Sequence, residues 1–117
     1  MAGVLSPFTL FPRYTCLSGA ETFYTPAIDV TRFEKAIVNM WRSPLVGPSF
    51  TITIEESSDL ITWTTVDGTT TDYALAASTE HQVTGNLAKQ WMRAHIILGT
   101  GTVATCWVTG FFETRTS

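Results

Sequence analysis

The sequence predicts an all-β fold: an antiparallel β-sandwich, with a jelly roll as one form of it, preceded by an extended N-terminal arm. Three observations predict it. Residues 49–66, SFTITIEESSDLITWTTV, alternate apolar and polar side chains with a period of two and then turn back on themselves. Residues 91–115, WMRAHIILGTGTVATCWVTGFFETR, repeat that behaviour on either side of a Gly-Thr-Gly-Thr turn. Between these units, β-branched and aromatic residues fill short runs bounded by Gly, Pro, Asp and Ser.

Taken in order, residues 1–26 are interrupted by Pro7, Pro12, Gly19 and Pro26, which excludes helix and favours an arm or edge strands. Its unpatterned apolar segment, residues 4–14 with Phe8, Phe11 and Tyr14, is expected to pack on a neighbouring subunit. Residues 27–117 form the sandwich domain. Residues 35–42, KAIVNMWR, read as a strand with Ala36, Val38 and Met40 on one face and Ile37 and Trp41 on the other, central in the sandwich or against a partner. Thr31 with Glu34 three residues on also matches a helix capping box, the helical alternative for residues 31–40.

In the first hairpin, placing Glu56 opposite Ile61 sets Ile54 against Trp63, which makes Trp63 the anchor of an apolar face. Residues 67–72, DGTTTD, form a polar loop, and residues 73–75 and 81–83 read as short strands. In the second hairpin, pairing Gly99 with Thr102 puts Met92, Ala94, Ile96, Leu98, Val103, Thr105, Trp107 and Phe111 on the core face. Trp91, Arg93, His95, Ile97, Ala104, Cys106, Val108 and Phe112 then share the other face, whose mixture suits a partner interface.

Composition narrows the function. The 117 residues, 44% of them hydrophobic, match one domain with one core. No apolar run approaches the roughly 18 to 20 residues that span a bilayer, and the N-terminus lacks a basic start before a long apolar run, so a soluble protein without a signal peptide is expected. A net charge of −3 with only two lysines speaks against an electrostatic grip on nucleic acid. Charged residues make up 15%, against roughly 25% in ordinary soluble domains. Aromatic content is 12%, and arginines outnumber lysines five to two. A surface short of charge is expected to be covered by other subunits.

No catalytic signature is present. His81 and His95 are the only histidines, and the HEXXH, GxSxG, P-loop and CxxC patterns are absent, so neither an enzyme nor a cofactor or metal site is expected. His95 with Cys106 lacks further ligands. Glu55 and Glu56 point to opposite faces of a strand and read as solvated charges near a turn. Cys16 and Cys106 are either buried free thiols or one disulfide between the N-terminal segment and the last strand. Trp41, Trp63, Trp91 and Trp107 are core or interface anchors, or else a sugar-stacking platform. Arg93 beside Trp91 is either an interface anchor or a snorkelling side chain.

The segment SSDLITWTTV, residues 57–66, resembles the S-x-D-G-x-x-W-T-x-V hairpin of small β-sandwich proteins in tailed-phage virions, and of discoidin-like modules, with Leu60 where glycine is usual. Residues 25–38, TPAIDVTRFEKAIV, and the closing residues 91–115 are similar to the same phage proteins. The resemblance implies a non-enzymatic virion protein of the capsid decoration or cement type, made in the host cytoplasm and placed on the capsid surface. It implies a homo-oligomer, with a trimer as one form, and contacts with the major capsid protein or other virion proteins. The alternatives are a phage tail, connector or head-spike component, or a carbohydrate-binding module. The candidate interface residues are Phe8, Phe11, Tyr14, Trp91, Arg93, His95 and Phe112.

Overall fold

The computed structural model describes residues 5–19, 21–44, 47 and 49–114. They form nine strands and no helix: β1 (Leu5–Ser18), β2 (Thr22–Tyr24), β3 (Ile28–Asp29), β4 (Phe33–Arg42), β5 (Phe50–Ser57), β6 (Thr64–Thr65), β7 (His81–Asn86), β8 (Trp91–Leu98) and β9 (Val103–Thr114). One sheet has the order β1-β9-β4-β7, and the other β2-β8-β5-β6 with β3 also on β8; every pairing is antiparallel. The expected β-sandwich is therefore what the chain adopts.

Between the sheets lie Val38, Met40, Ile52, Ile54, Met92, Ile96 and Val108, all fully buried. Each such side chain contributes roughly 1.5–3 kcal/mol through the apolar surface it removes from water. β4 is central, flanked by β9 and β7, and its Ala36, Val38 and Met40 face this core. The helical alternative for residues 31–40 fails at its cap. Asp29 Oδ1 accepts from the Thr31 amide (3.0 Å) and hydroxyl (2.7 Å), closing a turn that launches β4 as a strand.

The first hairpin forms, but in a different register. Glu56 lies opposite Thr64 and Glu55 opposite Thr65, and the Val66 amide donates to the Ile54 carbonyl (3.0 Å). Val66, fully buried, takes the place expected for Trp63. The cause is the turn: Ser57 Oγ accepts from the amides of Asp59 (3.2 Å) and Leu60 (2.9 Å) and donates to Asp59 Oδ1 (2.9 Å). Asp59 Oδ1 accepts in turn from the amides of Ile61 (2.9 Å) and Thr62 (2.8 Å). This closed loop absorbs extra residues, and an odd slip in register moves every return-strand side chain to the other face.

The second unit is no hairpin. β8 belongs to one sheet and β9 to the other, and the Gly99–Thr102 turn, closed by the Thr102 amide on the Gly99 carbonyl (3.0 Å), carries the chain around a corner of the sandwich. Met92, Ala94, Ile96 and Leu98 are core, as expected. On β9 the assignment inverts: Ala104, Cys106, Val108 and Phe112 face inward, while Val103 and Phe111 are exposed. Each sheet keeps its own pleat alternation, so a corner need not preserve the facing that a hairpin imposes.

Residues Leu5–Ser18, read as an arm or edge strand, run along β9 at the edge of the first sheet. Opposite Phe8 stands Gly110, where an added Cβ would lie 2.0 Å from the Ile37 carbonyl oxygen and 2.9 Å from the Phe8 ring, so only glycine fits. At the edge of the second sheet Pro26 cannot donate to a ladder. Thr25 keeps the edge attached there: its amide donates to the Ala94 carbonyl (3.0 Å), and its hydroxyl accepts from the Ala94 amide (2.9 Å).

Candidate functional site

Two polar-aromatic clusters stand on the outer faces, one per sheet. On the second sheet, β8 presents Arg93 and His95 outward, because their neighbours Met92, Ala94 and Ile96 point into the core. Glu55 lies directly opposite Arg93 on β5. Its Oε1 accepts from Arg93 Nε (3.1 Å) and lies 2.8 Å from His95 Nδ1. The Arg93 guanidinium is held between two rings, 4.0 Å from the centre of Trp63 and 4.3 Å from that of Tyr24. Tyr24 also meets His95 edge-on at 5.6 Å. The arrangement immobilises an arginine, and such a planar, weakly hydrated group is suited to protein contacts.

On the first sheet, Trp41 of β4 and Trp107 of β9 lie opposite one another and stack with ring centres 4.3 Å apart. Arg13 lies 4.6 Å from the Trp107 ring centre. Tyr14 crosses both indoles edge-on, at 6.4 and 5.6 Å, and is itself 70% exposed. The β1–β9 register breaks between Phe11 and Thr15, which lifts Pro12, Arg13 and Tyr14 over the indoles; Tyr14 has φ 63°. Under this bulge Trp107 is 7% exposed, and its Nε1 is buried with no hydrogen-bond partner.

Of the seven candidate interface residues, Arg93, His95 and Trp91 stand half-buried on the outer face of the second sheet, and Tyr14 is exposed on the first. Phe8, Phe11 and Phe112 are corrected to core positions. Phe112 is 3% exposed, stacked on Phe8 at 4.3 Å and on Phe33 at 4.8 Å, because β9 inverts relative to the hairpin assignment. Phe8, Leu10, Phe11 and Leu17 of the N-terminal segment thus serve this chain's own core, while Leu5 and Tyr14 stay exposed. Of the partners of Arg93, sequence reasoning misplaces Glu55 and Trp63 and misses Tyr24, since the three come from three other segments. Glu56 is a second correction: it is buried, with Oε1 accepting from the amides of Ala88 (2.9 Å) and Lys89 (3.1 Å).

Among the described residues, three titratable groups are shifted. The Asp59 carboxyl is held below its ordinary 3.8, chiefly by the Thr62 amide and then by the Ile61 amide and the Ser57 hydroxyl. Asp29 is held below 3.8 by the hydroxyl and amide of Thr31. Burial pushes the Cys106 thiol up to about 12, with Cys16 adding to it. Both thiols are free. Cys16 is exposed, not buried as expected, since it pairs with Thr105 and so points away from Cys106 across the sheet. Among the described residues no three His, Cys, Asp or Glu side chains come together as a metal site. His81 stands apart from His95, tilted against Tyr73 at 5.4 Å.

No protein-family description and no curated protein matches the sequence. Solved structures share its fold. The PBSX exported protein XepA aligns with 96% of this chain at a TM-score of 0.71 and 17% identity, and this chain spans 38% of that protein's length. The SPBc2 prophage-derived protein YomS aligns over 92% of this chain and 93% of its own, at 0.57 and 11%. A chain of the Bacillus endospore appendages, a family of disulfide-linked pili, aligns over 99% and 92%, at 0.57 and 12%. At such identities the likeness is one of fold, a β-sandwich that prophage-derived and appendage-forming proteins also use.

Proposed function

We propose that this chain is a non-enzymatic structural protein of a phage or phage-derived particle, and within that class a capsid decoration or cement protein. The observation that carries the structural role is the pair of ordered aromatic–arginine clusters on opposite outer faces, Tyr24–Arg93–Trp63 and Arg13–Trp107–Trp41. Trp, Tyr and Arg are the residues that dominate protein–protein hot spots, and here Arg13, Tyr14 and Tyr24 stand exposed over the more buried members of the two clusters. The fold shared with the prophage-derived protein YomS supports the phage setting. In this role the chain forms homo-oligomers and contacts the major capsid protein, and a tail, connector or head-spike position is the runner-up.

The carbohydrate-binding alternative has less support. A sugar stacks on an open ring face, whereas Arg93 lies over Trp63, and Trp107 is stacked by Trp41 with Arg13 also over its ring. The test is cryo-EM and mass spectrometry of particles from the native source, with light scattering of the purified chain. Density on the capsid shell is the expected result. Particles that lack the chain, or a free chain that stays monomeric and never binds capsids, overturn the proposal; saturable binding on a glycan array would favour the sugar-binding module.

A further inference from the structure

The two aromatic–arginine clusters are built alike, but only one is complete. On the second sheet Arg93 lies between Trp63 and Tyr24, and Glu55 Oε1 meets its charge from within the chain at 3.1 Å. On the first sheet Arg13 lies 4.6 Å from the Trp107 ring centre and Tyr14 crosses that ring at 5.6 Å. No carboxylate among the described residues comes within ion-pair distance of the Arg13 guanidinium; both ion pairs there are made by Glu55. Glu113 stands six residues beyond Trp107 on β9, about 20 Å away at roughly 3.4 Å per residue. Glu80 precedes β7, on the far side of β4 from Trp107.

A second donor stands on the same ring. Trp107 Nε1 is buried without a hydrogen-bond partner among the described residues, although an indole N–H taken out of water ordinarily finds an acceptor. The cover above it can shift without a break in the paired strand. Pro12, Arg13 and Tyr14 fall between the pairs Phe11–Val108 and Thr15–Cys106, so no ladder pair ties them to β9, and Tyr14 holds its φ of 63° at a cost. The bulge is closed by its own bond, the Thr15 hydroxyl on the Pro12 carbonyl (2.6 Å). An unpaired guanidinium and an unpaired buried N–H on one ring have the same need, a hydrogen-bond acceptor, and the cation asks that it be negatively charged.

We infer that the Arg13–Trp107 cluster takes a carboxylate from a partner protein, an Asp or Glu side chain that does there what Glu55 does for Arg93. Charge complementarity selects this occupant, since a guanidinium matches a carboxylate in shape as well as in sign. The Arg93 cluster shows the completed form within the same chain, and there the acceptor is a protein carboxylate. Because Arg93 already has its acceptor, that cluster is expected to take no such ligand. The inference rests on the proposed role of the Arg13 face as a contact with another subunit, and it names the chemistry that the other subunit presents.

Titration of the isotope-labelled full chain with a hexaglutamate peptide, followed by NMR through the indole N–H signals of the four tryptophans, tests it. The Trp107 Nε1–H signal is expected to move to saturation at millimolar peptide or below, while that of Trp63 beside Arg93 stays in place. Hexaglutamine is expected to move neither. Arg13→Gln, at an exposed position outside every ladder pair, is expected to weaken binding about tenfold or more, and Arg13→Glu to abolish it. Unchanged core amide signals show that each variant is folded. A Trp107 signal that never moves overturns the inference, as does an equal response to hexaglutamine, a folded Arg13→Gln chain that binds like the parent, or a response to oligogalacturonate without one to hexaglutamate. A chain that binds hexaglutamate at Trp107 yet is absent from particles removes the decoration role and leaves this site; a chain present on particles whose Trp107 never responds removes the site and leaves the role.

Discussion

Trp41 and Trp107 occupy opposed positions on β4 and β9 and stack with ring centres 4.3 Å apart and planes 10° from parallel, while the Trp107 Nε1 is buried without a partner. The ring and its N–H therefore pull in opposite directions energetically: the stack stabilises, and an unpaired buried donor costs about 1–3 kcal/mol. Trp107→Phe keeps an aromatic face and removes the donor, so its stability is expected to stay within about 1 kcal/mol of the parent. Trp107→Ala loses the stack with Trp41 and the cover of Arg13 and Tyr14, and is expected to cost about 3 kcal/mol. Urea unfolding midpoints measure both; a Trp107→Phe loss as large as that of Trp107→Ala would show that the N–H has a partner.

Glu55 serves Arg93 and His95 through one oxygen, and all three side chains are less than a quarter exposed. Glu55→Ala is expected to destabilise by about 1–3 kcal/mol because it leaves the guanidinium without its acceptor. Arg93→Lys keeps the charge but not the flat group lying between Tyr24 and Trp63, so a measurable loss is expected there too. A double-mutant cycle on Glu55 and Arg93 should return a coupling above about 0.5 kcal/mol; additive losses would show that the ion pair is incidental.

Acid should loosen the hairpin tip while the core holds. Folding lowers the Asp59 pKa, so its contribution is fully present above the ordinary 3.8 and is lost as pH falls below that value through the folded one. The Ile61 and Thr62 amides, which donate to this carboxylate, are expected to shift in NMR spectra over that interval while core amides such as Ile54 hold still. In Asp59→Asn the same titration should vanish. Persistence of the shifts in that variant would assign them to another group.

The two cysteines should differ sharply towards thiol reagents. Cys16 is exposed, whereas Cys106 is buried with its pKa pushed up to about 12, and the thiolate is the reactive form. At pH 8 the native chain is expected to react with Ellman's reagent at Cys16 alone, and at both sites in guanidinium. The raised pKa also means that Cys106 contributes its full stability below the ordinary 9.0 and loses it as pH rises through about 12. Equal native rates at both thiols would contradict the burial of β9's inner face.

Where side chains repeat with a period of two along a single strand, the sequence was legible. Ile52 with Ile54, and Met92, Ala94, Ile96 and Leu98, are assigned to the core from alternation alone, and they are there; Ala36, Val38 and Met40 are placed together on one face of their strand, and that face is the buried one. What failed was every relationship between strands. Trp63 was displaced from the core because Ser57 and Asp59 close a longer turn than their spacing announces. Phe112 moved inward because a Gly99–Thr102 turn looks the same in a hairpin and at a corner between sheets. Arg93 was visible beside Trp91, but its partners arrive from β2, β5 and the hairpin loop, distances in sequence that no local pattern encodes.

The pairing of β1 with β9 also sets a timetable. Phe8, Leu10, Phe11 and Leu17 lie on the first strand described, and the strand that pairs with them, β9, follows all the others. At roughly 5–20 residues per second, these apolar groups wait several seconds in the cell before their place beside β9 exists. The first sheet is therefore completed only once translation has passed Val103, and until then β1 is an aromatic strand without its partner.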